Sequence, residues 1–126
     1  MGKTNKPDEK YDVKEMDDQT RKILKQLLQI FADLCGLSLG YRTVAWDMAC
    51  IFLSDKGFGD WPTKVIEKYG SEMFPHWQDI AEFDVDMMSG AEYKRITQMM
   101  INEGIFSASD EVFELANQFM LKSAEW

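Results

Sequence analysis

A mainly α-helical fold, a compact bundle of about five helices, follows from three observations on the sequence. Apolar residues recur at three- and four-residue spacing through most of the chain beyond residue 16. Gly, Ser, Asp and Pro residues of the kind that start and stop helices fall between those runs. Only Phe83–Met87 alternates apolar and acidic residues with the period of two that a strand requires. The chain has 126 residues, 45% of them hydrophobic and 13% aromatic, which is the size of one domain with material for one core. Residues 1–16 are polar with little periodicity and read as a flexible N-terminal arm, which leaves 17–126 as a single helical domain.

The first helix opens at Asp17 or Asp18 as N-cap. Ile23, Leu24, Leu27, Leu28, Phe31 and Leu34 then recur along one face, and Gly36 stops it. A second run places Tyr41, Val44, Ala45, Met48, Ile51 and Phe52 on one face, after which Ser54–Asp60 reads as a loop. The short Gly36–Gly40 turn predicts that these two helices pack as an antiparallel hairpin. Asp60-Trp-Pro-Thr63 resembles a helix start, because Pro62 at the first position loses no hydrogen bond. The short helix through Val65, Ile66 and Tyr69 is expected to stop at Gly70. Pro75 can only sit at a helix start, so 71–80 reads as a further short helix or an irregular link.

Ser89 and Glu92 have the spacing of a capping box, in which the hydroxyl accepts from a backbone N–H and the carboxylate returns to the Ser89 amide. The helix they open runs through Tyr93, Ile96, Met99, Met100 and Glu103 to Gly104. Ser107 or Ser109 then caps a last helix with Val112, Phe113, Leu115, Ala116, Phe119 and Met120 inward. Ahead of this pair, Phe83–Met87 fits a short half-buried strand and fits an extended linker equally.

Charge is segregated along the chain. Residues 1–25 carry seven Lys/Arg against six Asp/Glu, and residues 26–71 four against five. Residues 72–126 carry three against eleven, a net of −8, which equals the charge of the whole chain. From Glu72 to Glu92 no Lys or Arg interrupts Asp79, Glu82, Asp84 and Asp86. Such a surface repels phosphate backbones and attracts basic partners; a solvated face that aids solubility is the competing reading.

An alternating strand over 83–87, a helix ending at Gly104, and Phe106-Ser-Ala-Ser-Asp-Glu-Val112 opening a second helix together resemble the ribbon-helix-helix proteins, most closely ParD-type antitoxins. The resemblance covers residues 83–125. It implies a homodimer whose paired strands enter the DNA major groove, with Gly104 as turn residue, Phe106 as aromatic plug, and Glu111 and Val112 starting the second helix. The sequence departs from that pattern where DNA would be read. Asp84 and Asp86 fall where the family has Arg, Lys or Thr, and Glu114 falls where it commonly has Arg. Carboxylates at those positions oppose phosphate contact, so direct nucleic-acid binding is disfavoured.

No motif for catalysis, cofactor or metal is complete. His76 is the only histidine, which rules out a multi-His metal site. Gly2-Lys-Thr4 lacks the glycine loop of a P-loop, and Gly57-Phe-Gly59 lacks a third glycine and a preceding strand. A calcium loop counted from Asp84 puts Arg95 at the position of its last ligand. Cys35 and Cys50 sit in apolar, helix-patterned surroundings and read as buried thiols. With no secretory signal, no stretch of membrane-spanning length and no myristoylation motif, a soluble cytoplasmic protein is expected.

The function expected on this basis is that of a small acidic, non-enzymatic protein without cofactor. It would bind and inhibit, neutralise or adapt a basic partner protein, in one version by mimicking nucleic acid. Asp79, Glu82, Asp84 and Asp86 supply the acidic face, and Trp61 and Trp77 the aromatic anchors. The alternative is a ribbon-helix-helix regulator or antitoxin that dimerises and binds DNA.

Overall fold

A computed structural model of the chain describes residues 16–59, 62–74 and 87–126. In it the Asp17 carboxylate accepts from the Thr20 backbone N–H at 2.7 Å and opens α1 (Asp18–Asp33). The stripe expected from the sequence is the one buried: Leu24, Leu28 and Phe31 are fully enclosed. After α1, Gly36 turns the chain at φ 85°, a left-handed conformation that glycine adopts without steric cost. Ser38 caps α2 (Leu39–Leu53), its hydroxyl accepting from the Tyr41 N–H at 3.4 Å.

The two helices form the antiparallel hairpin. Near the turn, the Phe31 and Trp46 rings lie 5.1 Å apart and the Arg42 guanidinium sits over Phe31. At the other end, Asp17 before α1 lies within electrostatic reach of Lys56 beyond α2. The loop expected at Ser54–Asp60 is corrected: α2 passes directly into a wider π-type turn over Ser54–Phe58, and Gly57 at φ 98° interrupts it. The polar sequence Ser54-Asp-Lys is therefore a helix end turned to solvent, because only Gly57 breaks the backbone path.

Pro62 is the first residue of α3 (Pro62–Met73), as its missing N–H requires. The stop expected at Gly70 is also corrected. Gly70 is buried and helical, and its carbonyl accepts from the Phe74 N–H at 2.8 Å. Burial of Val65, Ile66 and Tyr69 outweighs the roughly 1 kcal/mol that glycine costs in a helix. The helix ends just before Phe74, the residue whose helical conformation Pro75 disfavours.

The last two helices are α4 (Gly90–Asn102) and α5 (Asp110–Ser123). The capping box is present in both directions, Glu92 N to Ser89 Oγ at 3.2 Å and Ser89 N to Glu92 Oε1 at 3.4 Å. Gly104 turns at φ 77°, and Ser109 rather than Ser107 caps α5 by accepting from the Val112 N–H at 3.2 Å. One inward assignment is corrected: Phe113 is exposed. On α4, Met99 is exposed and Thr97 is buried beside Met100. A threonine tolerates the core there because its hydroxyl donates to the Tyr93 carbonyl at 2.6 Å.

Phe106, in the turn between α4 and α5, is fully buried. Both helices pack on the hairpin through apolar contacts and through four polar ties. Tyr93 donates to Asp47 at 2.5 Å and Tyr41 to Glu103 at 2.6 Å; Ser109 donates to Gln26 at 2.9 Å and Gln19 to Glu111 at 3.2 Å. The result is a mainly α-helical bundle of five helices, and among the described residues there is no strand. Among the described residues no helix is long and apolar enough to cross a membrane. Residues 1–15 of the arm and 83–86 of the expected strand lie outside the described residues. Met16, assigned to the arm, is packed in the core, while Met87, the last residue of the expected strand, is exposed.

Candidate functional site

The six residues singled out for partner binding, Trp61, Trp77, Asp79, Glu82, Asp84 and Asp86, all lie outside the described residues. Within them, an open groove of about 590 Å³ runs between the end of α2 and the start of α5. Ile23 of α1, Phe52 of α2 and Leu115 of α5 make its apolar floor. Asp55, Asp110, Glu111 and Glu114 make its rim, together with Lys56, whose ammonium lies 5.8 Å from the centre of the Phe52 ring.

Local structure explains how four carboxylates meet there. Ser109 starts α5 beside Gln26 of α1, so the acidic first turn of α5 faces the end of α2. The π-type turn after α2 keeps Asp55 on the groove instead of carrying it off with a loop. A smaller cavity of about 110 Å³ shares Phe52, Asp55 and Leu115 and extends along α5 past Gln118 and Phe119 to Lys122. The two pockets adjoin at these three residues, the first rimmed by carboxylates and the second reaching Lys122.

Glu111 is held below the usual carboxylate range by a backbone hydrogen bond at the helix start, with Gln19, Lys22 and Ser109 adding to it. Ionised carboxylates around an apolar floor recognise a group that is both cationic and apolar, as a lysine or arginine is with its hydrocarbon stem. Among the described residues no group of three His, Cys, Asp or Glu is gathered closely enough to hold a metal ion.

A second set of ionisable groups lies at the seam of α2 with α3 and α4. Burial raises the Asp47 carboxyl above its ordinary value, and the hydrogen bond from Tyr93 opposes that rise. Burial pushes the Cys50 thiol up to about 12, the Asp47 charge adding to it and a hydrogen bond with Thr63 opposing. Such a thiol is a packing group, since the thiolate is the reactive form. Cys35, expected to be buried, is exposed at the end of α1.

Sequence reasoning found Glu114 as a charge out of place and the acidic C-terminal half as a whole. It missed Asp55, which it placed in a loop, and the half-buried Asp47. The signal for Asp47 was an acid set in the apolar run Trp46-Asp-Met-Ala-Cys50. Compared with protein-family models, curated proteins and solved structures, the chain matches none of them.

Proposed function

We propose that the protein is a small non-enzymatic binding protein that docks on a basic partner protein and modulates it, as an inhibitor, neutraliser or adaptor. The observation that carries this reading is the placement of charge. The net charge of −8 falls within residues 72–126, and every described carboxylate of that segment is exposed: Glu72, Glu92, Glu103, Asp110, Glu111, Glu114 and Glu125. An unbalanced acidic surface of this kind steers cationic partners and suppresses binding to phosphate backbones. Docking on another protein is favoured over the ribbon-helix-helix reading because α4 and α5 already pack on α1 and α2 of the same chain.

Affinity capture from cell lysate at low and high salt tests the proposal. Captured proteins should be basic, should elute as salt screens the charges, and should be reduced in amount when Asp79, Glu82, Asp84 and Asp86 are reversed to lysine. Unchanged capture by the reversed protein would remove the acidic face from the account. A gel shift with DNA fragments at low salt decides the alternative: reproducible, salt-sensitive binding there would sink the protein-docking reading in favour of DNA.

A further inference from the structure

We infer that the groove between the end of α2 and the first half of α5 is the docking site for a cationic amphipathic segment of the partner protein. Its apolar side chain seats between Phe52 and Leu115, and its Lys or Arg residues lie beside Asp55 and Glu114. The inference rests on the functional reading above and adds a place and a binding mode to it. Three features of the groove select this occupant. The floor is apolar and continues into the smaller cavity along α5, which gives an anchor side chain somewhere to go. The rim carries four carboxylates against one lysine, which excludes an anionic ligand and leaves a purely apolar one unpaired with the charge. Lys122 lines the smaller cavity further along α5, away from the acidic rim, which favours one direction for a segment with unevenly placed cations.

The rim is also more acidic than the fold requires. Asp110 and Glu111 sit in the first turn of α5, where carboxylates stabilise the helix start, and Glu111 is tied to α1 through Gln19. Asp55 and Glu114 have no such place. Asp55 belongs to the π-type turn, and Glu114 lies in the second turn of α5, accepting from Gln118 one turn further on at 3.2 Å. Both are exposed, so their reversal tests the groove without disturbing the core.

Fluorescence anisotropy with two labelled synthetic peptides, titrated with the full chain, tests the inference. The first is an amphipathic Leu/Lys helix of about 14 residues, long enough to lie along α5. The second replaces each Leu by Ser and keeps the charge. The wild-type chain should bind the Leu/Lys peptide about ten-fold more tightly than the Ser/Lys peptide. Asp55→Lys with Glu114→Lys should weaken that binding about ten-fold, whereas reversal of Asp79, Glu82, Asp84 and Asp86 should weaken it less than about three-fold. Leu115→Ala, with its fold checked by circular dichroism, should shrink the preference for Leu over Ser.

An unchanged affinity in the Asp55→Lys/Glu114→Lys variant overturns the groove, as does a wild type that does not distinguish the two peptides. Equal weakening by both sets of reversals marks diffuse attraction and overturns it too. If the reversal at 79–86 alone abolishes binding, the groove falls and the acidic-docking function stands. If neither peptide binds at low salt, both fall.

Discussion

Replacing Tyr93 by phenylalanine removes one hydroxyl from the seam between α2 and α4 and leaves the ring where it packs. The ring lies edge-on to Phe119 at 5.8 Å and to Trp126 at 5.0 Å, and those contacts survive the change. The hydroxyl donates at 2.5 Å to Asp47, whose carboxyl burial holds above its ordinary value of 3.8. The folded chain therefore keeps a proton on Asp47 at a pH where the unfolded chain has lost it. The stability this contributes is fully present below 3.8 and is lost as pH rises through the raised value. Where Asp47 is ionised, the Tyr93 hydroxyl donates to a charge, so Tyr93→Phe should cost about 2 kcal/mol, the worth of a hydrogen bond to an ion. Once Asp47 is protonated the bond is between neutral groups and its loss should cost about 1 kcal/mol. Asp47→Asn keeps an acceptor of the same shape without the buried charge. It should leave stability at neutral pH unchanged or slightly higher and remove this group's share of the pH dependence. Cys50 lies within electrostatic reach of Asp47, and its thiol, pushed up to about 12, stays neutral throughout. Urea denaturation followed by circular dichroism between about pH 7 and pH 4 measures all three proteins and the double variant. A cost for Tyr93→Phe below about 0.5 kcal/mol, or one that grows on acidification, would refute the reasoning.

Other predictions follow from single contacts. Gly90→Ala should destabilise the protein by about 1–3 kcal/mol despite alanine's better helix propensity, because the new Cβ would lie 2.5 Å from the Ser123 carbonyl oxygen; thermal denaturation gives the sign directly. Phe106→Ala should cost about 3–5 kcal/mol, since the ring is fully buried in the α4–α5 turn, and a urea midpoint close to that of the wild type would contradict this. Thiol labelling with a disulfide reagent at neutral pH should modify Cys35 promptly and Cys50 only on unfolding, as the exposure of one and the thiol near 12 of the other require; equal rates would be inconsistent with both.

The helices that could be read from the sequence are those whose ends are set locally. Asp17, Ser89 with Glu92, and Ser109 cap through bonds to residues three positions on, and Gly36 and Gly104 turn the chain whatever surrounds them. Where tertiary packing decides, local signals failed. Gly70 reads as a stop and is held in α3 by burial. Phe113 reads as core because α5 carries apolar residues on more than one face, and which stripe turns inward depends on the hairpin beneath. The groove was the least legible feature, since Ile23, Phe52 and Leu115 are far apart in sequence and meet only once α5 has docked.

Helix physics sorts the acidic residues further. Asp18, Glu92, Asp110 and Glu111 occupy first turns, where the exposed amides and the helix dipole favour a negative charge. Glu103 accepts from Tyr41 and joins α2 to the end of α4. These charges belong to the fold, so their loss should show in stability as well as in binding. Asp55 lies in the π-type turn that continues α2, Glu114 lies in the second turn of α5, and both are on the rim of the same groove. Like charges placed together raise the energy of the folded chain, and a cationic partner between them would offset that cost. Binding and stability should therefore separate at these two positions, where reversal weakens a cationic peptide's affinity while leaving the urea midpoint unchanged or raised.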